Sequence, residues 1–405
     1  MKKYISLLTT ILCCLFFSTL LLTGQSYKYT AFILAIIALF SLHKTYPALQ
    51  NRDVKILILS LTGFFLTHLF SLIITGGKIS ELDLPSRTIF ASLILLLLCT
   101  YKPKPQWIMA SIPIGSSIAG ILAITHVMLY GGRAFFIGTN YMVIQAGGMA
   151  MYLSILSLIS FFYYQHKKYY YLSTFSFLSS FLGLSGSLLS GVRGAWLLSP
   201  FILLWIVWSQ RHLLNRRIIL ATILAFGMVM VVSYPQVQTR ISSTTTELTG
   251  YAAHEKSSSE RPSGARLEMW KSAIYSTLEK PIFGQGYLAL KKAKEKQVEQ
   301  GLVDNVVLKY SGAHNQFFQE MQTKGLLGLV GLLFLFAVPY RFFNNYQKNT
   351  VYRSSHYYFT LMGKVHILLI MGFCLTQHYL SHHSGIILYS IGVVIFASLV
   401  TPKKI

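Results

Sequence analysis

Long apolar blocks, separated by short polar segments, run along most of this 405-residue chain. Their apolar positions neither alternate nor form one helical stripe, and each block is long enough to cross the roughly 30 Å hydrocarbon core of a membrane as a helix. The pattern predicts an all-α polytopic membrane protein with about twelve transmembrane helices. We place these helices at 4–23, 29–43, 54–75, 86–100, 106–126, 141–163, 169–189, 194–209, 217–233, 322–341, 358–377 and 384–401.

One polar segment, 234–320, is far longer than the other connections, and loops of that length are commonly functional. Its serine- and threonine-rich part, 242–263, predicts flexible coil. Residues 264–279 have apolar positions at helical spacing and predict an amphipathic helix, which Pro281 ends. A second amphipathic stretch, 316–323, leads into the tenth span. The chain therefore divides into spans 1–9 (1–233), one large loop with amphipathic helices (234–320) and spans 10–12 (321–405).

Charge is scarce but placed unevenly. Only 12% of residues are charged, against about 25% in soluble domains, and 53% are hydrophobic. This excludes an ordinary soluble enzyme, a disordered tail and a coiled coil. With the N-terminus in the cytoplasm, lysine and arginine collect in the short inner loops, whereas every acid except Asp53 falls outside. The net charge of +23 is thus mainly a topology signal with a contribution from anionic lipids, and we expect no nucleic-acid partner. The lysine run at 291–296 indicates a solvated face or a contact with lipid headgroups.

Several chemistries lack their usual residues. No Asp or Glu lies inside a predicted span, which disfavours an ion-coupled transporter. There is no Asp-x-Asp, no metal-ligand spacing of His and Glu, and no phosphate-binding P-loop. The four cysteines all lie in apolar stretches and indicate no disulfide or metal site. We therefore expect neither a metal nor a cofactor.

Three arginines occur beside glycines at predicted outer joints. Arg193 lies in a tight joint between two spans, Arg266 opens the loop helix, and Arg133 shares a third joint with Asn140. A guanidinium binds phosphate oxygens in a bidentate manner, and a helix N-terminus adds affinity for anions. The alternative for each is a boundary or solvated arginine, or a surface pair between Arg266 and Glu268.

The same outer segments carry a candidate base and candidate sugar contacts. His314 starts the second amphipathic stretch, followed by Asn315, and a neutral imidazole is a good general base near pH 7. A lone loop histidine is nevertheless more often structural. Trp270, one turn after Arg266, either stacks on a sugar or packs against the membrane. His382 and His383 lie in the last outer loop, where they could line the same cavity.

The order of these features resembles the lipopolysaccharide O-antigen ligases of Gram-negative bacteria, which share a superfamily with O-antigen polymerases and O-linking oligosaccharyltransferases. The resemblance is strongest at 191–196, at 264–287, which contains Arg-x-x-x-Trp and Phe-Gly-x-Gly-Tyr, and at 314–331, where His-Asn leads to a glycine in the next span. In topology it covers most of the chain.

The resemblance implies a GT-C-like membrane enzyme of the bacterial inner membrane that transfers glycan on the periplasmic face. Its donor would be O-antigen on undecaprenyl diphosphate, and its acceptor a sugar of lipid A–core oligosaccharide, with membrane lipids around it. Transfer would invert the anomeric centre and need no metal or nucleotide. By this resemblance Arg193 and Arg266 hold the diphosphate and His314 takes the proton of the acceptor hydroxyl. The substrate-binding candidates are Arg133, Asn140, Trp270 and Asn315.

Three other functions remain open at the level of sequence. An O-antigen polymerase would use the same donor, but two large basic outer loops are typical of polymerases and here one loop is large. An O-linking oligosaccharyltransferase usually carries a further soluble C-terminal region, whereas this sequence stops soon after the last predicted span. A polysaccharide or lipid transporter would tolerate loss of His314.

Overall fold

The computed structural model describes residues 2–136, 141–253, 255 and 258–402, and within these residues it contains helices and no strand. This agrees with the all-α prediction. The helices are α1 (Lys2–Ser18), α2 (Ser26–Phe40), α3 (Leu42–Thr45), α4 (Arg52–Thr75), α5 (Ser86–Thr100), α6 (Pro105–Tyr130), α7 (Val143–His166), α8 (Tyr170–Leu189), α9 (Arg193–Trp196), α10 (Ser199–Ser209), α11 (Arg216–Ala252), α12 (Pro262–Glu279), α13 (Gly286–Glu299), α14 (Gln316–Lys348), α15 (Ser355–Cys374) and α16 (His383–Val400).

Many of these helices are suited to a membrane. Among the described residues nine are long and apolar enough to cross one, or ten if the bent pair Ser26–Phe40 and Leu42–Gln50 forms a single span. A helix lies at each position where the sequence predicts a span. The helix α1 has only 17 residues, however, and the apolar stretch Arg193–Ser209 is also short. The fold is that of a polytopic membrane protein, and the count of twelve spans stays a prediction.

The helices differ sharply in how deeply they are buried in the bundle. In the most apolar part of α7 and of α15, 83% of residues are buried, and in α16 the share is 94%. For α11 it is 11%, so this helix lies at the periphery with most of its apolar surface free to face lipid. The bundle is therefore built around α7, α15 and α16.

Small residues bring α6 and α8 close together. The Ser116 hydroxyl donates to the carbonyl of Ser179 at 2.8 Å. A Cβ added to Gly120 would overlap the carbonyl of Leu182. Small side chains allow such close approach in membranes, where apolar burial does not drive helix association. The segments that follow α6 and α8, which carry two of the candidate arginines, are consequently held side by side.

The prediction of flexible coil over 242–263 is wrong for its first half, because α11 continues without interruption to Ala252. Serine and threonine hydroxyls within it donate back to carbonyls one turn earlier, for example Thr249 to Thr245 at 2.9 Å. These bonds satisfy the polar side chains inside the helix. The ninth span and the start of the long loop are thus one helix, and α12 then begins at Pro262 and ends at Glu279, close to the prediction.

A break in α14 is closed by the glycine-rich turn that precedes α13. Gly325 has φ 60° and ψ −150°, which interrupts the helix. The N–H groups after the break need other acceptors. Leu326 donates to the carbonyl of Pro281 at 2.7 Å, and Leu327 to that of Ile282 at 3.1 Å. The turn and the break therefore form one hydrogen-bonded unit.

The broken helix also contains a buried group of charges. Glu320 is 1% exposed and lies 2.9 Å from the ammonium of Lys324, while His68 of α4 approaches the same oxygen at 3.7 Å. The predicted span begins at 322, whereas α14 starts at Gln316, six residues earlier, and takes Glu320 into the bundle. A buried carboxylate of this kind persists only with close partners.

Replacing Gly284 with alanine tests the joint between turn and break. Gly284 has φ +69°, and a Cβ there would overlap the backbone of Thr323 and Lys324. We expect Gly284→Ala to lower the free energy of unfolding by about 1–3 kcal/mol, as overpacking typically does. Thermal unfolding of the purified protein in detergent measures this. The control is Gly227→Ala in α11, where no atom lies within 4 Å of the new Cβ and no loss is expected. An unchanged midpoint for Gly284→Ala would contradict the joint.

Candidate functional site

Four arginines of the described chain meet at one end of the bundle, and we call them the arginine cluster. They are Arg133 after α6, Arg193 at the start of α9, Arg240 in α11 and Arg266 in the first turns of α12. Arg133 is repelled by Arg240 and Arg193, and Arg266 by Arg193. A Cβ on Gly191 would lie 3.0 Å from Nε of Arg240 and 3.4 Å from Nε of Arg133, so glycine leaves room for both guanidinium groups.

The cluster carries more positive charge than its neighbours neutralise. Arg193 donates to the hydroxyl of Thr244 and lies 3.7 Å from the carboxylate of Glu247. Arg133 donates from Nε to the carbonyl of Ser190 at 2.8 Å. Within the described residues, Glu247 is the one carboxylate within 4.0 Å of these four guanidinium groups. The surplus of cations makes the site attractive to a multiply charged anion.

Burial of the arginines strengthens the attraction of the cluster for an anion. It lowers the pKa of Arg133 to about 10, with further lowering by Arg240 and Arg193. Burial also lowers the pKa of Arg266, helped by Arg193 and opposed by Glu247 and Tyr310. Both arginines remain charged at pH 7, yet each lacks the full hydration it would have in water. Phosphate oxygens would replace that hydration with charge-assisted hydrogen bonds.

His314 lies beside the cluster, just before α14. Its backbone has φ +48°, an uncommon left-handed conformation for a side-chain-bearing residue. Its ring packs edge-on between Tyr310, with centroids 5.6 Å apart, and His378, at 5.3 Å. Burial lowers the pKa of His314, and the cations Arg266 and Lys294 lower it further. The imidazole is therefore neutral at pH 7, the form that accepts a proton.

Trp270 and Asn315 hold the segment that carries His314. The indole of Trp270 donates to the carbonyl of Ala313 at 3.0 Å and stacks on Phe318. Asn315 caps α14, accepting from the N–H of Phe317 at 2.9 Å, and it donates to the carbonyl of Leu375 at the same distance. Both side chains thus position the residues on either side of His314, and their contact with substrate stays a prediction.

The structure brings Arg133, Arg193, Arg266 and His314 into one neighbourhood, and their roles in catalysis and binding stay a prediction. Asn140 lies outside the described residues.

No role was assigned to Arg240 from the sequence, because it lies between the predicted ninth span, which ends at 233, and the predicted coil, which begins at 242. The available signal was spacing: Arg240, Thr244 and Glu247 recur at i, i+4 and i+7, as on one face of a helix. In the structure this face supplies a guanidinium to the cluster, a hydroxyl to Arg193 and its nearest carboxylate.

Lys294 was also misjudged, as part of a solvated lysine run. It is 3% exposed, and its ammonium donates to the carbonyl of Tyr310 at 2.8 Å. Burial lowers the pKa of Lys294 to about 8. Lys294 lies on the buried face of α13, whereas Lys291 of the same run is exposed and pairs with Glu295. The run therefore has two faces, and one of them belongs to the His314 neighbourhood.

Known proteins resemble the segment that holds most of this site. Residues 178–333 match the family model described as O-antigen ligase. This segment is similar to O-antigen ligases. It includes Arg193, Arg240, Arg266 and His314, and the resemblance inferred from the sequence is confirmed. Members of the family are membrane glycosyltransferase-like enzymes.

A relative matches nearly the whole chain. It is an uncharacterized protein of Haemophilus influenzae, 28% identical over 395 residues, and the match covers 96% of this chain and 97% of the relative. The similarity therefore extends through helices on both sides of the O-antigen ligase segment.

The site histidines predict a pH-dependent stability. Burial is the main cause that lowers the pKa of each of three histidines below the ordinary value of 6.5. It lowers the pKa of His314, and it lowers the pKa of His378 to about 3 and that of His382 to about 4. The unfolded chain takes up these protons first, so their contribution to stability is present above about pH 7 and lost as the pH falls below 6.5. We expect thermal midpoints to fall from pH 7 to pH 5, and to fall less in His378→Gln. His43→Gln, at an exposed position, should keep the wild-type slope; an equal slope in His378→Gln would contradict the assignment.

Inorganic diphosphate should bind the arginine cluster and stabilise the fold. At ten times its dissociation constant, a ligand that binds only the folded state adds about 1.4 kcal/mol. We expect diphosphate to raise the thermal midpoint of wild type at low salt, and Arg266→Ala to remove most of the rise. Arg211→Ala is the matched control. Arg211 is exposed just after α10, outside the arginine cluster, so this variant should respond to diphosphate as wild type does. A full response in Arg266→Ala would exclude this arginine from the anion site.

Proposed function

We propose that this protein is an O-antigen ligase that transfers O-antigen polysaccharide from undecaprenyl diphosphate to a sugar of lipid A–core oligosaccharide. One observation carries the proposal: a cluster of four arginines, with one nearby carboxylate among the described residues, lies beside a neutral, half-buried histidine. The arginines suit a diphosphate leaving group, and the histidine suits an acceptor hydroxyl. The family match supports the reaction class.

The arginines act on the leaving group. When the bond between C1 of the sugar and the diphosphate oxygen breaks, the electron pair passes to the diphosphate and its negative charge grows. Guanidinium groups already held in place stabilise that charge without rearrangement, which is the most effective form of electrostatic catalysis. We assign this role to Arg193, Arg266 and Arg240, with Arg133 supporting them. Four cations could do here what a divalent metal does in other transferases, and we propose that the reaction needs no metal.

His314 acts on the acceptor. A sugar hydroxyl is a weak nucleophile near pH 7, so a base must take its proton as oxygen attacks C1. Attack from the face opposite the diphosphate inverts the anomeric centre. The new C1–O bond forms, the C1–phosphate oxygen bond breaks, and the proton goes to the imidazole. Trp270 and Asn315 hold the imidazole in position near Arg266, since their hydrogen bonds attach its segment to α12 and to the end of α15.

We place the reaction on the periplasmic face of the inner membrane. The basic short loops predicted on the opposite side support this orientation through the positive-inside rule. Donor and acceptor are both membrane amphiphiles, so a site at the end of a helix bundle can be reached by both from the bilayer.

Reconstitution tests the ligase function. Purified protein in liposomes receives undecaprenyl-diphosphate-linked glycan and lipid A–core, with a chelator and without nucleotide. We expect wild type to shift lipid A–core to higher mass, His314→Ala to lose turnover while retaining the donor, and Arg266→Ala to lose transfer. Arg266→Lys should lose about 10- to 100-fold in rate, because a bidentate charge-assisted contact is worth about 1.5–3 kcal/mol.

Each other product leads to a different conclusion. A longer glycan on the undecaprenyl carrier, with lipid A–core unchanged, would identify a polymerase, because that enzyme uses the same donor as acceptor. Full activity in Arg266→Lys would refute the bidentate contact. Loss of donor binding in His314→Ala would move this residue from the base to the anion site. No product from folded wild type would refute the ligase proposal.

A further inference from the structure

Three imidazole rings form a continuous row that leads away from the arginine cluster. The ring of His314 lies 5.3 Å from that of His378, which follows α15, and His378 lies 4.9 Å from His382, which precedes α16. We call these three side chains the histidine row. Only His314 has a task in the transfer described above.

The row contains nitrogen atoms that the fold leaves unused. Nδ1 of His314 and Nδ1 of His378 are both buried, and among the described residues neither has a hydrogen-bond partner. Leaving a buried polar atom unpaired costs about 1–3 kcal/mol, so proteins rarely keep two adjacent cases without a reason. Imidazole nitrogens that are free to accept and release a proton are what a proton path requires.

The far end of the row opens into a polar cavity. Gln377 donates from its amide to Nε2 of His382 at 3.2 Å. A cavity of about 200 Å³ is lined by His382, His383 and Gln145, among others. Gln145 is 1% exposed, and its amide oxygen has no hydrogen-bond partner among the described residues. A cavity of this size, with polar side chains on its wall, has room for water that accepts a proton.

We propose that the histidine row conducts the proton taken by His314 to this cavity. The inference rests on the proposed function, since the transfer generates one proton for each glycan moved. The acceptor O–H bond breaks as the new C1–O bond forms, the diphosphate leaves with the electron pair, and the proton remains on His314. It must leave before the next acceptor can be deprotonated. Water in the cavity is the final acceptor.

The surrounding charges set the direction of transfer. Arg266 and Lys294 are the cations that face His314, with the Tyr310 phenol beside its ring. They repel an imidazolium, whereas His378 and His382, on its other side, are neutral.

The rest of the row holds no proton for long. His378 faces His314 and His382, and His382 faces His314 and His383. His383 in turn lies 3.8 Å from Asp83 and also meets the fields of Arg87 and Lys28. Burial lowers the pKa of His378 to about 3 and of His382 to about 4, so a proton that reaches either one moves on.

Replacing His378 with glutamine separates the first transfer from later ones. Glutamine keeps polar atoms at the position but does not take up a proton near neutral pH. In the liposome assay, with enzyme in excess, the first transfer by His378→Gln should run at the wild-type rate. With substrate in excess, turnover should fall at least about tenfold, because His314 stays protonated. Adding imidazole buffer should restore much of the lost rate.

A purely structural role for His378 would give a different result. It would slow the first transfer as much as later ones, without rescue by imidazole, and this outcome overturns the proposal. Unchanged turnover also overturns it, since the proton would then leave by way of the diphosphate or directly to water. His356→Gln, at the opposite end of α15, is the matched control and should behave as wild type.

Two further arms keep the result interpretable. If thermal unfolding shows that His378→Gln does not fold, His382→Gln carries the same test with the same expected pattern. Wild type in the same assay reports on the proposed function independently: absence of transfer by wild type refutes the ligase, whereas transfer by wild type with an unaffected or unrescued variant refutes only the proton path.

Discussion

Repulsion among the guanidinium groups of the arginine cluster is the constraint around which this end of the molecule is built. Like charges at such short range separate unless something holds them, and here the scaffold does so. Close packing of α6 against α8 fixes Arg133 and Arg193, α11 brings Arg240 together with Glu247, and α12 brings Arg266. A multiply charged anion relieves the repulsion, so the energy stored in assembling the cluster becomes affinity for the ligand.

His314, the proposed base, is held by the same helices through a second set of contacts. His314 lies between Arg266 and the other two histidines of the row because Trp270 binds its segment to α12 and Asn315 binds it to the end of α15. Burial lowers the pKa of His314, and Arg266, which also belongs to the arginine cluster, lowers it further. The two proposed roles, stabilising the leaving group and taking the acceptor proton, therefore share Arg266, and a change at this residue would alter both.

The sequence predicted the helices well, since long apolar blocks have few other structures available in a membrane. It also indicated Arg193, Arg266 and His314, through their setting beside glycines and through the family resemblance. It failed where neighbours from distant segments decide the outcome. Arg240 lies between the predicted ninth span and the predicted coil, in a segment that proves to be helical. Lys294 lies in a basic run of which one face is buried, and Glu320 in polar residues that extend α14 inward. A role for His378 is indicated only by the contact of its ring with that of His314, which the sequence does not show.

The joint between the glycine-rich turn and the break at Gly325 has a consequence for how the protein is made. The carbonyls of Pro281 and Ile282 precede α14 in the chain and must already be positioned when that helix arrives. Until then, the N–H groups of Leu326 and Leu327 lack these acceptors. The turn that precedes α13 must therefore fold before α14 takes its final shape, so formation of the polar segment and completion of this helix are one event.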